Sequence, residues 1–348
     1  MSTNKNITMK QFNGTDYDIL YPKTIASQVE GAYTQQQILA DSTKGLFGLG
    51  SDAVPNDAFI SLTNCFAQIR VTTSPNTEVT ASLNGKTVRA TSDSSGLAVL
   101  KIPGFGTWTV SVTINGVSIS VDYEIKAIAQ YELYLSTNLE TASWDFIDSI
   151  SKSGKAASIW SVGDKKTIKL NGVSYTAQII GFNHDTKTAG GKAGITFQLV
   201  DCLNNTYQMN SSNTNVGGWK NSAMRSKMSE FFGQLDVELQ SVIKPVNKLT
   251  SVGNKSSTIE TVSDKLFLLS EVEILGSTTY SYTGEGSQYS WYKAGNTKVK
   301  KVSGSANWWW ERSPYKGITN AFCYINNNGG ASGRNASDKC GVSFAFCV

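Results

Sequence analysis

A polar stretch near the end of the chain, residues 323–339, carries side chains suited to binding sugars or phosphates. Asparagine amides and an arginine guanidinium match hydroxyl and phosphate groups as hydrogen-bond partners, and a tyrosine ring can stack on the apolar face of a sugar. The candidate ligand-binding residues are Tyr324, Asn326, Asn327, Asn328, Arg334, Asn335, Ser337 and Lys339. The alternative interpretation is a solvated loop, because Asn and Gly also form turns.

The residues that familiar catalytic motifs require are mostly missing. His184 is the only histidine, so a Ser-His-Asp triad would have to use it, and a metalloprotease with two histidine ligands is excluded. Residues 341–345, Gly-Val-Ser-Phe-Ala, fail the nucleophile-elbow pattern at its last position. We interpret His184 as a hydrogen-bonded structural residue beside Asp185. We predict a non-enzymatic protein with no catalytic residue, no metal and no cofactor.

Glycan cleavage is the enzymatic alternative, and it requires two carboxyl groups about 5–9.5 Å apart. Asp236 with Glu238, and Glu271 with Glu273, are close in sequence. A spacing of two on a helix points the side chains apart. We therefore interpret these carboxylates as solvated surface charges and keep a glycan depolymerase only as an alternative function.

Three consecutive tryptophans, residues 308–310, precede an acidic and a basic residue. On a strand, consecutive side chains alternate between faces. We predict that most of these tryptophans pack in the core and that Glu311 and Arg312 form a buried pair.

The cysteine pattern disfavours a metal site. The chain has 5 cysteines, an odd number without a C-x-x-C pair, so zinc binding is not expected. Three of them, Cys323, Cys340 and Cys347, lie near the end of the chain. We favour buried free thiols over a disulfide among them.

Composition indicates packed, β-rich domains. Of 348 residues, 40% are hydrophobic and 17% charged, which is sufficient for folded cores, and the length suggests about two or three domains. The net charge of +4 comes without a basic stripe, so nucleic-acid binding is not expected. Residues 1–21 lack a signal-peptide pattern, and no stretch is apolar enough for a membrane span. We expect synthesis in the cytoplasm without membrane insertion.

Alternating apolar residues predict a small β-sandwich over residues 63–137. The alternating runs are Ala67–Val71, Val79–Leu83, Ala98–Ile102, Trp108–Ile114 and Val117–Ile125. Asn84-Gly85 and Asn115-Gly116 favour type I′ hairpin turns, which need positive φ at both central residues. Several short strands at this spacing are typical of a sandwich.

Residues 138–348 are predicted to mix helices and strands. Ser143 is a suitable N-cap for a helix that carries Phe146, Ile147 and Ile150 on one face. Further predicted elements are a hairpin over 166–180, a strand over 195–200, one helix over 224–243, a short helix capped by Ser270, and a final strand over 341–348.

Two parts of the N-terminal half resemble segments of phage tail proteins. Thr91–Gly96 and Gly104–Val110 resemble Ig-like or carboxypeptidase-regulatory-like modules, which serve as spacers in those proteins. Tyr33–Leu39, Gly45–Gly50 and Val54–Phe59 are similar to the start of tail proteins of phages that infect Gram-positive bacteria. There the resemblance implies attachment to the tail tip or baseplate.

The C-terminal part carries a longer series of motifs. They are Ile179–Asp185, Gly217–Lys220, Met224-Arg225, Ala294–Asn296, Trp309–Pro314 and Gly341–Phe346. In order and spacing they resemble a domain family of phage tail and bacterial surface proteins whose fold is similar to C-type lectins, including the variable domains of diversity-generating retroelement proteins. In those domains the segment before the last strand contacts ligand. Trp308, and Ser343-Phe344 where many relatives carry Arg-Pro, depart from the pattern.

These resemblances imply a β-rich multidomain protein. Its parts would be a tail or baseplate attachment segment (1–62), an Ig-like β-sandwich spacer (63–137) and an α+β C-type-lectin-like receptor-binding domain (138–348). The implied function is that of a tail fibre: a receptor-binding protein of a phage tail or tail-like particle, homotrimeric, that adsorbs to a cell-wall glycan or another receptor on the bacterial surface.

A structural baseplate or decoration protein without receptor binding is the alternative from another class. The two interpretations predict different surroundings for residues 324–339. An open surface favours ligand binding, whereas burial against another subunit favours a structural role.

Overall fold

The computed structural model describes residues 66–114, 116–135 and 137–348. The predicted attachment segment, residues 1–62, lies outside this range. The described chain is rich in β-strands, which form several separate sheets, and its helices are short. Within these residues no helix is both long and apolar enough to cross a membrane.

Two sheets form the N-terminal part of the described chain. Their strands are β1 (Ala67–Thr72), β2 (Glu78–Leu83), β3 (Lys86–Thr91), β4 (Leu97–Ile102), β5 (Gly106–Ile114), β6 (Val117–Ile125) and β7 (Gln130–Tyr134). One sheet has the order β3-β2-β5-β6 and the other β4-β1-β7. In the second sheet β1 pairs antiparallel with β4 and parallel with β7.

The predicted alternation accounts for the buried faces of these sheets. Ile69, Val79 and Trp108 are almost completely buried, and each lies in a run where every second residue is apolar. Asn84 and Gly85 have φ values of 48° and 78°, which confirms the predicted hairpin turn. Strands β3 and β7 were not among the predicted runs, although Val88 and Ala90 in β3, and Tyr131 and Leu133 in β7, alternate with exposed residues.

The remaining strands and all described helices lie beyond residue 138. The strands are β8 (Lys165–Leu170), β9 (Val173–Phe182), β10 (Ile195–Leu199), β11 (Val246–Ser251), β12 (Ile259–Asp264), β13 (Leu266–Phe267), β14 (Lys300–Val302), β15 (Ser305–Asn307), β16 (Trp309–Pro314), β17 (Ala321–Ile325), β18 (Ala331–Asn335) and β19 (Ala345–Cys347). The helices are α1 (Trp144–Lys152), α2 (Ala156–Ile159), α3 (Ala223–Gly233), α4 (Val237–Val242), α5 (Glu271–Leu275) and α6 (Ser290–Lys293).

A five-stranded sheet forms the centre of this C-terminal part. Its order is β13-β19-β10-β9-β8, so the final strand pairs with β10 inside the sheet. A three-stranded sheet, β16-β17-β18, and the pairs β11-β12 and β14-β15 complete the strand pairings. The predicted final strand over 341–348 was too long, because only Ala345–Cys347 forms regular pairs.

Capping residues set the starts of two helices as predicted. The Ser143 hydroxyl accepts a hydrogen bond from the Phe146 amide at 3.2 Å, at the start of α1. Ser270 and Glu273 form a capping box at the start of α5. The single helix predicted over 224–243 was wrong: α3 ends at Gly233, and Leu235 instead forms a bridge with Leu170 of β8.

Helix α1 packs against strand β6 of the N-terminal sheets. The Ser149 hydroxyl donates to the carbonyl of Ser120 at 2.7 Å. The Trp160 indole, just after α2, donates to the carbonyl of Thr137 at 2.9 Å. The predicted boundary between residues 137 and 138 falls in the connection between β7 and α1.

The four described cysteines, Cys202, Cys323, Cys340 and Cys347, are buried and free. Burial raises the pKa of the Cys202 thiol to about 12. Cys65 lies outside the described residues.

Candidate functional site

The predicted binding segment is largely a β-hairpin rather than an irregular loop. Strand β17 pairs antiparallel with β18, from Ala321 opposite Asn335 to Ile325 opposite Ala331. The Asn326 side-chain oxygen accepts hydrogen bonds from the amides of Asn328 and Gly330, at 2.9 and 3.0 Å. Asn326, predicted to bind ligand, therefore stabilises the turn.

An arginine and two aromatic rings form a compact group on this hairpin and the adjacent chain. The guanidinium carbon of Arg334 lies 4.0 Å from the centre of the Trp308 ring. The Trp308 and Tyr324 rings are tilted against each other with centroids 5.4 Å apart. All three side chains are partly exposed. We call Trp308, Tyr324 and Arg334 the aromatic–arginine platform.

The platform has a defined geometry because Arg334 is held from two sides. The Trp308 ring supports the plane of the guanidinium by cation–π contact. The Arg334 Nε lies 3.2 Å from a carboxylate oxygen of Asp338. An aromatic ring beside a charged planar donor can stack on a sugar and donate hydrogen bonds to hydroxyl or phosphate oxygens.

The other predicted binding residues lie on the same hairpin or just after it. The side chains of Asn327, Asn328, Asn335 and Lys339 are exposed, and that of Ser337 is partly exposed. Trp308 was not predicted to belong to the site. The run of three tryptophans could have indicated it, because consecutive side chains cannot all face the core. Trp309 and Trp310 are fully buried, which confirms that most of this run packs in the core.

A buried network of charged groups lies away from the platform, around α5 and β16. Glu271 and Glu273 are almost completely buried, so their interpretation as solvated charges was wrong. The two terminal guanidinium nitrogens of Arg312 contact the Glu273 carboxylate, one of them at 2.9 Å. The Lys248 ammonium lies 2.7 Å from Glu273 and 2.6 Å from Asp185.

The ion pairs of this network keep its side chains in their charged forms despite burial. Burial alone would raise the pKa of Asp185, but the Lys248 ammonium holds it well below its ordinary value. Burial opposes ionisation of Glu273 too, yet Arg312 and Lys248 lower its pKa. Burial would lower the pKa of Lys248, and Asp185 and Glu273 raise it instead. The four side chains are therefore two cations and two anions.

The predicted pair of Glu311 with Arg312 was wrong. Consecutive residues on strand β16 point to opposite faces, and Arg312 pairs with Glu273 instead. Both carboxyl oxygens of Glu311 are buried without a hydrogen-bond partner. Burial, reinforced by Glu271 and Glu285, raises the pKa of Glu311 well above its ordinary value, so the fold favours the protonated form of this side chain.

His184 packs by ring stacking, with its ring centroid 4.0 Å from that of Tyr289. Its neighbour Asp185, rather than the imidazole, makes the buried hydrogen bonds, accepting from Tyr289 and from Thr196. Burial lowers the pKa of His184. The histidine is therefore structural, as predicted, but through stacking instead of hydrogen bonding.

Two cavities of the described chain also lie apart from the predicted residues. One, of about 290 Å³, is lined by Arg225, Asp264 and Lys265 among others. The other, of about 330 Å³, is lined by Tyr175, Asp201 and neighbouring residues. Each has a single carboxylate among its lining residues, whereas glycoside hydrolysis ordinarily uses two.

Comparison with known proteins gives a family match for the C-terminal part. Residues 193–348 match the model of a family described as a domain of unknown function, DUF6273. No curated protein matches the chain. A crystal structure of a C-terminal interface mutant of a type II Cohesin-X-Dockerin complex from Acetivibrio cellulolyticus matches with 21% identity and a TM-score of 0.17. That match covers 20% of this chain and 52% of the other, so the chain spans about half the length of that relative.

Proposed function

We propose that this protein is a receptor-binding protein of a phage tail or tail-like particle and that it binds a bacterial cell-surface glycan through the aromatic–arginine platform. The observation that carries the proposal is the placement of Arg334 at 4.0 Å over Trp308, beside Tyr324. A partly exposed aromatic ring can stack on a sugar ring, and the guanidinium beside it can donate hydrogen bonds to hydroxyl or phosphate oxygens. The protein acts by binding, without catalysis.

Pre-organisation favours binding at this surface. A free arginine side chain loses rotamer freedom when it binds, at a cost of about 0.5–1.5 kcal/mol per side chain. Arg334 already lies against Trp308 and beside Asp338, and these contacts restrict its side chain before a ligand binds. The exposed amides of Asn327, Asn328 and Asn335 add donors and acceptors on the same hairpin.

The proposed architecture has an Ig-like spacer followed by a C-type-lectin-like domain. The two-sheet arrangement of β1–β7 supports the first part. The second is supported by the position of the hairpin β17–β18, which precedes the final strand β19 as ligand-binding segments do in lectin-like domains. Residues 1–62 attach the chain to other tail or baseplate proteins.

The chain acts as a homotrimer in the virion tail, made in the host cytoplasm and working at the bacterial surface. Several weak glycan sites in one particle gain avidity because later binding events are intramolecular. A trimer with three platforms therefore adheres firmly even when each site binds weakly.

The test is binding of the full-length protein to purified cell walls from a panel of Gram-positive bacteria. Trp308→Ala and Arg334→Ala are each expected to weaken binding roughly tenfold, equivalent to about 1.4 kcal/mol. The matched control is Arg89→Ala, which removes an exposed ion pair between Arg89 of β3 and Glu78 of β2. This variant is expected to bind as the wild type does.

Equal wall binding by all variants would refute the platform as the binding site. Release of soluble sugar from the walls would indicate a depolymerase instead. Failure to bind any wall, with the platform protected from solvent in assembled tails, would favour a structural baseplate protein.

A further inference from the structure

A lysine lies within ion-pair distance of both an aspartate and a glutamate in the interior of the C-terminal part. The Lys248 Nζ of strand β11 lies 2.6 Å from Asp185 Oδ1 and 2.7 Å from Glu273 Oε1. The three side chains are at most 3% exposed. Lys248 also lies 4.3 Å from the centre of the Phe267 ring, so water is excluded around its nitrogen.

The other oxygen of the aspartate receives hydrogen bonds where negative charge would develop during attack on its carbon. Asp185 Oδ2 accepts from the Thr196 hydroxyl at 2.7 Å and from the Tyr289 hydroxyl at 2.9 Å. Positioned donors of this kind stabilise the oxyanion of a tetrahedral intermediate. Oδ1 accepts from Lys248 at 2.6 Å and lies 3.1 Å from the Tyr289 hydroxyl, and it is the oxygen that would leave.

The charge balance of the network permits loss of one ion pair. Arg312 pairs with Glu273, and Lys248 bridges Asp185 and Glu273. If Lys248 and Asp185 became a neutral amide, Arg312 and Glu273 would remain as a balanced pair. Two charges would thereby leave a region where burying a charge is costly.

We propose that Lys248 and Asp185 condense into an intramolecular amide bond, with Glu273 as the catalytic proton shuttle. Glu273 passes one proton of the Lys248 ammonium to Asp185 Oδ1, and the neutral amine then attacks the carbon of the resulting carboxylic acid. A C–N bond forms, the C–Oδ1 bond breaks, and Oδ1 leaves as water. Both protons of that water come from the lysine nitrogen, which keeps one, so ammonium plus carboxylate becomes amide plus water.

Proximity drives the reaction, because the reacting groups are held in contact in a dry site. The bond would link the segment after β9 to strand β11. Lys248 and Asp185 are 63 positions apart in sequence, so the bond would close a long loop of the chain. A covalent link of this kind restricts the unfolded chain as a disulfide does, and it is independent of cellular reductants. The inference does not depend on the proposed glycan binding.

The decisive measurement is the intact mass of the purified, denatured full-length protein. The expected mass is lower than that of the sequence by one water, and proteolysis is expected to yield a branched peptide that joins Lys248 to Asp185. Glu273→Gln keeps the size of the side chain but cannot take the proton, so this variant is expected to retain the full mass. Circular dichroism establishes that it is folded.

A full, unmodified mass in folded wild-type protein would overturn the proposal, whatever the variants do. A mass deficit that persists in Lys248→Met would also overturn it, because the lost water would then come from another site. Wall binding by a protein of full mass would leave the proposed function standing, so the two proposals fail separately.

Discussion

Removing the guanidinium of Arg312 tests the energetic role of the buried network directly. This side chain is fully buried and donates to the carbonyls of Leu249, Leu268 and Glu285 as well as to the Glu273 carboxylate. Arg312→Met keeps an unbranched side chain that packs in apolar surroundings. It leaves the buried Glu273 carboxylate without the guanidinium that contacts both of its oxygens.

The expected loss of unfolding free energy is about 3–5 kcal/mol, the usual cost of breaking a buried ion pair by removing one partner. The orphaned carbonyls contribute to this loss, since a buried acceptor without a donor is itself unfavourable by about 1–3 kcal/mol. The contributions are not additive, because the site relaxes once the guanidinium is gone. Domains are stable by about 5–15 kcal/mol, so the change removes a large part of the total.

The assay is denaturation by urea of the full-length protein, followed by tryptophan fluorescence, because Trp309 and Trp310 are fully buried. Arg89→Met is the control: its ion pair with Glu78 is exposed at 62% and 59%, and such pairs contribute less than about 1 kcal/mol. If Arg312→Met loses no more stability than Arg89→Met, the network does not stabilise the fold and the reasoning is refuted.

Three further changes follow from individual contacts. The fold raises the pKa of Glu311 above its ordinary value of 4.5, so the stability contributed by this side chain is complete below that pH and is lost as the pH rises toward the folded-state pKa. Glu311→Gln is therefore expected to be more stable than the wild type at neutral and alkaline pH and similar to it in acid. Identical pH profiles of the two proteins in urea titrations would contradict this. Gly333→Ala places a methyl carbon in overlap with the Tyr315 ring, so we expect a loss of about 1–3 kcal/mol in the same titration, whereas an unchanged midpoint would show that the ring moves freely. Ser143→Ala removes the cap at the start of α1 and is expected to cost about 1 kcal/mol, measured as a lower melting temperature, with exposed Ser95→Ala as a comparison.

Local patterns predicted those elements whose geometry depends on near neighbours in sequence. The Asn84-Gly85 turn and the Ser143 cap were predictable because each is set by residues only a few positions apart. The long helix over 224–243 was not, because its break at Gly233 coincides with a bridge from Leu235 to Leu170, a partner far away in sequence. Strand β7 was missed although Tyr131 and Leu133 alternate with exposed residues, because a run of five residues is short and its partner β1 lies far away in sequence.

The candidate site was predictable in part. The sequence placed Tyr324 and Arg334 in one polar segment, and both lie on the platform. Trp308 was not assigned to that site. Three consecutive tryptophans alternate between faces, but the sequence does not show which ring faces outward, because this depends on how strand β16 packs. The sequence also could not assign Asn326 to the turn, because an Asn side chain that bonds its own backbone looks in sequence like one free to bind.

Residue patterns along the chain were enough to predict a β-rich protein and the position of a tight turn. The state of the charged residues follows from the fold. Glu271 and Glu273 look like surface charges until the fold buries them, and Arg312 takes Glu273 as its partner although Glu311 is adjacent. The physical reason is that ionisation and pairing depend on burial and on distances through space, which spacing along the chain does not encode.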